Sequence, residues 1–151
     1  MKTNRNTSHR DAGHTEGKNI FMQLNFVTSK IIAAAINVHK ELGPGLLETV
    51  YQSCLGIEMK NNEMQVETEV ELPVFYRGQR VKDAVFRLDF LIDDIIIVEL
   101  KSVENIKAVH KKQLLTYLRL ANKPLGLLIN FNVPVLKDGI SRIINNRYET
   151  I

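Results

Sequence analysis

An acidic and a basic residue end the most hydrophobic segment of the chain. Residues 95–102 read IIIVELKS, in which Glu99 and Lys101 follow a β-branched run that is typical of a central strand. Side chains alternate along a strand, so Glu99 and Lys101 share one face. Asp89 lies ten residues before Glu99 in a second apolar segment, VFRLDFLI. Three ionisable side chains therefore occupy positions where the pattern predicts burial.

Buried charges need an opposite charge nearby, and the carboxylates among them indicate a cation. An unpaired buried carboxylate costs several kcal/mol, and Lys101 can neutralise one. Glu48 lies near the start of a predicted helix, with Tyr51 and Leu55 on the same face. A divalent cation would compensate the remaining carboxylates, whose oxygens suit Mg²⁺ or Mn²⁺ better than Zn²⁺. The residues thus predict a magnesium or manganese site.

A site shared by Asp89 and Glu99 depends on the turn between their strands. Directly paired residues of an antiparallel hairpin point to the same face. A two-residue turn at Asp93-Asp94 would pair Asp89 with Val98 and turn its side chain away from Glu99. A three-residue turn over 93–95 would pair Asp89 with Glu99, and a β-bulge would also correct the parity. We therefore predict an odd-length turn or a bulge.

Hydrophobic periodicity predicts the elements that position these side chains. Two helices come first, from about residue 25 to Leu42, followed by the stop Gly43, and from about Leu46 to Asn61. Three strands, a helix capped by Ser102, a fourth strand and a short final helix follow. The predicted strands are 66–74, 81–92, 95–102 and 125–131. The predicted helices are 103–121 and 139–145. This order predicts an α/β fold in which helices flank a mixed four-stranded sheet, with an extra N-terminal helix.

Polar residues interrupt the apolar face of the helix predicted over 103–121. His110, Gln113 and Tyr117 stand at i, i+3 and i+7. Gln113 and Tyr117 are candidates for the site, although a tyrosine on such a face also suits the core with its hydroxyl hydrogen-bonded. His110, like His39 in the first helix, is interpreted as a surface or packing residue.

Length and composition favour one soluble domain. The 151 residues are 44% hydrophobic and 25% charged, and no apolar run approaches the roughly 20 residues of a bilayer span. Residues 1–20 are polar and aperiodic, which predicts a disordered tail before a domain over 21–151. Because this start lacks the apolar region of a secretory signal and Cys54 is the only cysteine, a cytoplasmic location is expected.

The charge balance gives little guidance about partners. The net charge is +3, of which the first 20 residues hold +2. A nearly neutral domain permits nucleic-acid binding without arguing for it. Four cations on the predicted third helix either follow a nucleic-acid backbone or form a solvated face, namely Lys107, Lys111, Lys112 and Arg119.

Several motifs together resemble a known family. Asp89 and the triplet Glu99-Leu100-Lys101, within this order of elements, resemble the PD-(D/E)XK nuclease superfamily. The segment GLLETVY, residues 45–51, looks like the signature of the GxxExxY branch of that superfamily. Three further segments agree, namely Arg87-Leu88-Asp89, the QxxxY pattern from Gln113 to Tyr117, and LGLLINF over 125–131. The resemblance covers residues 24–145, with Leu88 where the pattern has proline.

The resemblance implies a restriction-endonuclease-like αβββαβ core and a metal-dependent nuclease, with DNA as the expected substrate. Asp89, Glu99 and the Leu100 carbonyl would hold Mg²⁺ or Mn²⁺, and Glu48 would complete the shell directly or through a water. Lys101 would orient the attacking water and offset charge on the phosphate.

The same resemblance implies supporting residues and partners. Gln113 and Tyr117 would hydrogen-bond the phosphate backbone or support Lys101. Nucleic acid is the expected partner, a homodimer or a protein partner is also consistent with the pattern, and no membrane is expected.

Each candidate also has a purely structural interpretation. Glu99 and Lys101 would serve as an ion pair at a strand end, and Asp89 would pair with Arg87. Glu48 would favour the dipole of its helix by about 0.3–1 kcal/mol. The rival function is a non-catalytic module that keeps the fold and binds nucleic acid or a protein. A closed ion-pair network without metal or substrate is the third alternative.

Overall fold

Helices cover both faces of a five-stranded sheet. The computed structural model describes residues 10–150, with side chains over residues 17–150. The helices are α1 (Arg10–Leu42), α2 (Glu48–Asn61) and α3 (Ala108–Ala121). The strands are β1 (Val66–Tyr76), β2 (Gln79–Ile92), β3 (Ile96–Lys101), β4 (Leu125–Asn130) and β5 (Ile140–Ile144).

The strands lie side by side in chain order, from β1 to β5. The β3–β4 pair is parallel and the other pairs are antiparallel, which confirms the predicted α/β fold with a mixed sheet. The predicted count of four strands is wrong, because residues 140–144 form β5 and not a short helix. This segment reads ISRII, and its β-branched residues suit a strand once the free edge of β4 supplies backbone partners.

The first helix begins earlier than the sequence predicts. α1 starts at Arg10, so residues 10–20 are helical and not an irregular tail, while residues 1–9 lie outside the described part. Helix formation is cooperative, so a helix stabilised by packing extends into polar sequence. Four buried residues form an apolar stripe at helical spacing along α1, namely Val27, Ile31, Ala34 and Val38.

One segment of α1 has the length and composition of a membrane span. Among the described residues this segment is Gly17–Leu42, with a mean hydropathy of 1.3. One face of α1 packs against the sheet, and 28% of the most apolar stretch of this segment is buried.

Two hydrophobic layers hold the sheet in place. Ile96 and Val98 of β3 are fully buried in the layer formed with α1 and α2. Ile97, between them, is fully buried in the layer formed with α3. The β-branched run of β3 thus anchors the centre of the sheet on both faces, and alternation places Glu99 and Lys101 on the α3 side.

α3 is shorter at its start than predicted. It begins at Ala108, and Ser102 does not cap it. The Ser102 hydroxyl instead donates to the Leu46 carbonyl at 2.5 Å, which ties the end of β3 to the turn before α2. A capping serine and a serine that bridges two loops look the same in sequence, because the distinction depends on a tertiary partner.

Candidate active site

The turn between β2 and β3 has the predicted odd length. Ile92 pairs with Ile96, so the turn contains the three residues 93–95. Asp93 and Asp94 adopt left-handed φ values of 49° and 60°, which aspartate tolerates better than most residues. The register of the hairpin therefore places Asp89 opposite Glu99, and the prediction is confirmed.

The two carboxylates replace ladder hydrogen bonds at the end of β3. Backbone pairing of β2 with β3 ends at Phe90 and Val98. Beyond this pair, the Asp89 N–H donates to Glu99 Oε1 at 3.0 Å, and the Leu100 N–H donates to Asp89 Oδ2 at 2.8 Å. A backbone donor thus fixes one oxygen of each carboxylate, and the two carboxyl groups also hydrogen-bond to each other, with Glu99 as the donor.

Burial makes the doubly ionised state of this pair unfavourable. Burial raises the pKa of Asp89. The hydrogen bond from the Leu100 N–H lowers this pKa, and the charge of Glu48 raises it. Burial, followed by the charge of Asp89, raises the pKa of Glu99 to about 8. The Lys101 ammonium lowers the pKa of both carboxyl groups without offsetting the burial. A bound cation would favour the ionised forms that the protein alone disfavours.

The donor set suits a cation that keeps part of its water shell. Over the described residues, no three or more His, Cys, Asp and Glu side chains form a metal-binding group. Mg²⁺ is commonly bound by one or two carboxylates with waters in the remaining positions, which is the set that Asp89 and Glu99 offer. The roles predicted for the Leu100 carbonyl and Glu48 stay predictions.

Lys101 lies half-buried at the last position of β3. Its charge acts on both Asp89 and Glu99, yet none of the ion pairs within 4 Å among the described side chains includes it. Its backbone carbonyl accepts the N–H of Phe131 at 2.9 Å. The backbone of Lys101 is therefore fixed, while its ammonium is not committed to a single carboxylate.

Tyr51 explains how the segment GLLETVY positions Glu48. The Tyr51 side chain is fully buried and stacks on Phe131 with ring centroids 4.4 Å apart. Its hydroxyl donates to the Gly43 carbonyl at 2.5 Å and accepts the Leu46 N–H at 3.1 Å. These bonds fix the turn that enters α2, so that Glu48 begins the helix near Asp89.

The glycines of this turn have a conformational role. Gly43 and Gly45 have φ values of 71° and 94°, a backbone region that side chains disfavour. In the segment GLLETVY, the glycine and the tyrosine therefore shape the turn, and the charge of Glu48 acts on Asp89. Glu48 itself is exposed.

Tyr51→Phe should destabilise the protein without changing its packing volume. The variant leaves the Leu46 N–H and the Gly43 carbonyl without their hydroxyl partner, at a cost of about 1–3 kcal/mol. Thermal unfolding should show a fall in Tm of roughly 3–10 °C. Tyr76→Phe is the matched control, because Tyr76 is 65% exposed. Equal Tm values for the two variants would contradict the role assigned to the Tyr51 hydroxyl.

The structure brings Tyr117 to the carboxylate pair. Tyr117 is buried, with its ring 5.3 Å from that of Phe86. Burial raises the pKa of its hydroxyl, and the charges of Glu99 and Asp89 raise it further. Gln113 lies one turn earlier on α3 and is exposed. Both lie on the helix that covers the Glu99 side of the sheet, and their contacts with substrate or Lys101 stay predictions.

Two histidines have the packing roles that the sequence predicts. His39 is buried, and its Nε2 donates to the Val133 carbonyl at 2.8 Å. His110 Nδ1 accepts the N–H of Lys107 at 3.0 Å and so stabilises the first turn of α3.

Arg87 does not pair with Asp89, which removes one structural interpretation of that aspartate. Arg87 bridges Glu69 and Glu71 of β1, each at 3.4 Å. Asp89 instead hydrogen-bonds with Glu99 and Leu100, and the charge of Lys101 acts on it.

Asn130 supports the site and was missed by sequence reasoning. It is buried beside Lys101 in the parallel pairing of β3 with β4. Its Nδ2 donates to the Val103 carbonyl at 2.9 Å, and its Oδ1 accepts the Val103 N–H at 3.1 Å. This amide fixes the chain that follows Lys101. A signal was present, because an asparagine inside an apolar strand needs buried hydrogen-bond partners.

Comparison with protein families agrees with this geometry. A model described as the PD-(D/E)XK nuclease superfamily matches residues 25–143, a range that contains Glu48, Asp89, Glu99 and Lys101. Comparisons with curated proteins and with solved structures find no match. Since the matched range covers most of the chain, the protein belongs to the PD-(D/E)XK nuclease superfamily.

Proposed function

We propose that this protein is a metal-dependent nuclease that hydrolyses phosphodiester bonds in DNA. The observation that carries the proposal is the placement of Asp89 opposite Glu99, with Lys101 at the end of the same strand. Two half-buried carboxylates with raised pKa values are costly for stability, and a cation-binding role accounts for their presence side by side.

Each ionisable residue of the site has a separate proposed role. Asp89 and Glu99 would hold one or two Mg²⁺ or Mn²⁺ ions through their carboxylate oxygens, once both groups are ionised. When bound, such an ion lowers the pKa of a coordinated water and polarises the scissile phosphate. The Lys101 ammonium orients the attacking water and offsets the negative charge that develops on the phosphate. Glu48 contributes further negative charge at the mouth of the site.

Gln113 and Tyr117 are proposed to contact the phosphate backbone from α3. Tyr117 presents a hydroxyl near the carboxylate pair, and Gln113 is exposed one turn away. We also assign the chain to the GxxExxY branch, on the strength of GLLETVY and the role of Tyr51 in presenting Glu48.

The rival function is a catalytically silent module that binds nucleic acid or a protein. The net charge of +3 favours it, because dedicated phosphate binders are usually more basic. An intact Asp89, Glu99 and Lys101 set favours the enzyme. If the enzyme acts as a homodimer or with a protein partner, that partner would supply the missing positive charge.

A nuclease assay separates the two functions. Wild type, Asp89→Asn and the exposed control Asp138→Asn are incubated with plasmid, linear duplex and single-stranded DNA in EDTA, Mg²⁺ or Mn²⁺. We expect cleavage by wild type and Asp138→Asn only with metal, and at least a hundredfold loss in Asp89→Asn. Equal activity in all three proteins would indicate a contaminant. Inactivity of all three under every condition would favour the silent module.

A further inference from the structure

The hairpin of β1 and β2 extends well beyond the rest of the sheet. β1 and β2 pair with each other as far as Tyr76 and Gln79, whereas β3 pairs with β2 only at residues 90–92. Residues 73–85, named the ribbon here, therefore form two strands without a third, and a bulge between Arg80 and Val85 gives β2 three extra residues. Every residue from Phe75 to Asp83 is exposed.

Cations and aromatic rings are concentrated in the ribbon. The ribbon contains three cations and one acidic residue, namely Arg77, Arg80, Lys82 and Asp83. Its net charge is therefore +2, in a chain whose net charge is +3. Phe75 is 55% exposed, although a phenylalanine on a solvated hairpin gains nothing from exposure. The Arg77 guanidinium lies over the Tyr76 ring, 5.4 Å from its centroid. Positive charge interleaved with exposed rings is complementary to nucleic acid.

The tip of the ribbon presents Arg77 in a constrained conformation. Arg77 and Gly78 form a two-residue turn in which both φ values are positive, 47° and 77°, the pattern of a type I′ turn. Asparagine is the preferred residue at the first position of such a turn. Arginine at this position is less favourable for the backbone, so its presence indicates a use for its charge.

The ribbon extends from the same end of the sheet as the candidate active site. Phe90 is the last residue of β2 that pairs with β3, and β2 continues from there through Asp89 toward the tip of the ribbon. On β1, Tyr76 at the tip lies five residues beyond Glu71, the partner of Arg87, which corresponds to roughly 17 Å of strand. A molecule held along the ribbon would therefore pass the Asp89–Glu99 pair.

We infer that the ribbon enters the major groove of double-stranded DNA and holds the duplex against the site. The inference rests on the proposed nuclease function. The major groove of B-form DNA is about 12 Å wide and admits a two-stranded β-ribbon, in which strands lie roughly 4.8 Å apart. The major groove of A-form RNA is deep and too narrow for side-chain recognition. The shape of the ribbon thus selects duplex DNA over duplex RNA.

The experiment measures binding without cleavage. The full chain is titrated in EDTA against labelled duplex DNA, duplex RNA and single-stranded DNA of the same sequence, and fluorescence anisotropy is followed at several salt concentrations. The ribbon variant is Arg77→Asn with Arg80→Gln, in which asparagine favours the turn and so preserves the hairpin. The control is Lys40→Gln with Lys60→Gln, two exposed cations on helices with the same change in net charge.

We expect the ribbon variant to bind duplex DNA about tenfold more weakly than the control, with a salt slope smaller by about two. Wild type should bind duplex DNA more tightly than duplex RNA or single strands. Equal affinity of the two variants would overturn the inference, as would a preference of wild type for single strands. Failure of wild type to bind any of the three would also overturn it and point to a protein occupant. Metal-dependent cleavage is measured separately, so loss of the ribbon inference leaves the nuclease proposal standing.

Discussion

Lys101→Ala should reduce metal-dependent DNA cleavage by roughly 10²–10³-fold while leaving DNA binding unchanged. An ammonium that acts on developing charge contributes mainly in the transition state, and removal of one such group has this magnitude. Lys101 is suited to the role because its backbone is fixed and its ammonium is not bound to one carboxylate. Single-turnover cleavage of a duplex, alongside anisotropy in EDTA, measures the two quantities.

Two further variants make this result interpretable. Lys101→Met keeps most of the hydrocarbon stem and should be as inactive as Lys101→Ala, which separates charge from packing. Lys60→Ala removes an exposed cation from the end of α2 and should retain full activity. A Lys101→Met protein that folds normally and cleaves at the wild-type rate would remove Lys101 from the mechanism.

Glu99→Gln should abolish cleavage and at the same time stabilise the metal-free protein at alkaline pH. Glutamine has nearly the same shape, can still accept the Asp89 N–H and cannot ionise. The carboxyl group that it replaces has a pKa raised to about 8 by burial and by Asp89. The substitution therefore removes the unfavourable charge along with the predicted metal ligand.

The pH dependence follows from the direction of the shift. In the folded state Glu99 keeps its proton to about pH 8, whereas the unfolded chain releases it near the ordinary value of 4.5. The folded state thus binds more protons in this window, so wild-type stability falls as the pH rises through it. In EDTA, the free energy of unfolding of Glu99→Gln should exceed that of wild type by an amount of the order of 3 kcal/mol at pH 8.5. Near pH 4.5 the two free energies should differ little.

Thermal unfolding across this pH range tests the prediction. For a domain of this size the expected gain corresponds to roughly 6–12 °C in Tm at pH 8.5. Glu67→Gln, at an exposed position of β1, should leave the Tm within about 2 °C of wild type. If Glu99→Gln melts at or below the wild-type temperature at pH 8.5, the carboxylate pair is not a source of instability.

The Asp89–Glu99 pair could be predicted because it depends on local rules. Alternation along strands and the parity of one turn determine whether the two side chains share a face, and the turn over 93–95 has the required length. The stripe of α1 follows from helical periodicity for the same reason.

The remaining features depend on partners that are distant in sequence. Residues 140–144 become a strand because β4 offers a free edge, and Ser102 bonds Leu46 in place of capping a helix. Asn130 contacts the chain beyond Lys101, which hydrophobic patterning does not reveal. The length of the ribbon could not be predicted either, since residues 73–85 do not alternate regularly between polar and apolar types.

Calorimetric titration of Mn²⁺ at pH 8 tests the central claim that Asp89 and Glu99 jointly bind a divalent cation. Wild type and Glu67→Gln should bind Mn²⁺ with the same affinity, and Asp89→Asn and Glu99→Gln should each bind at least about tenfold more weakly. Indistinguishable titrations for all four proteins, whether all bind Mn²⁺ or none does, would contradict the claim.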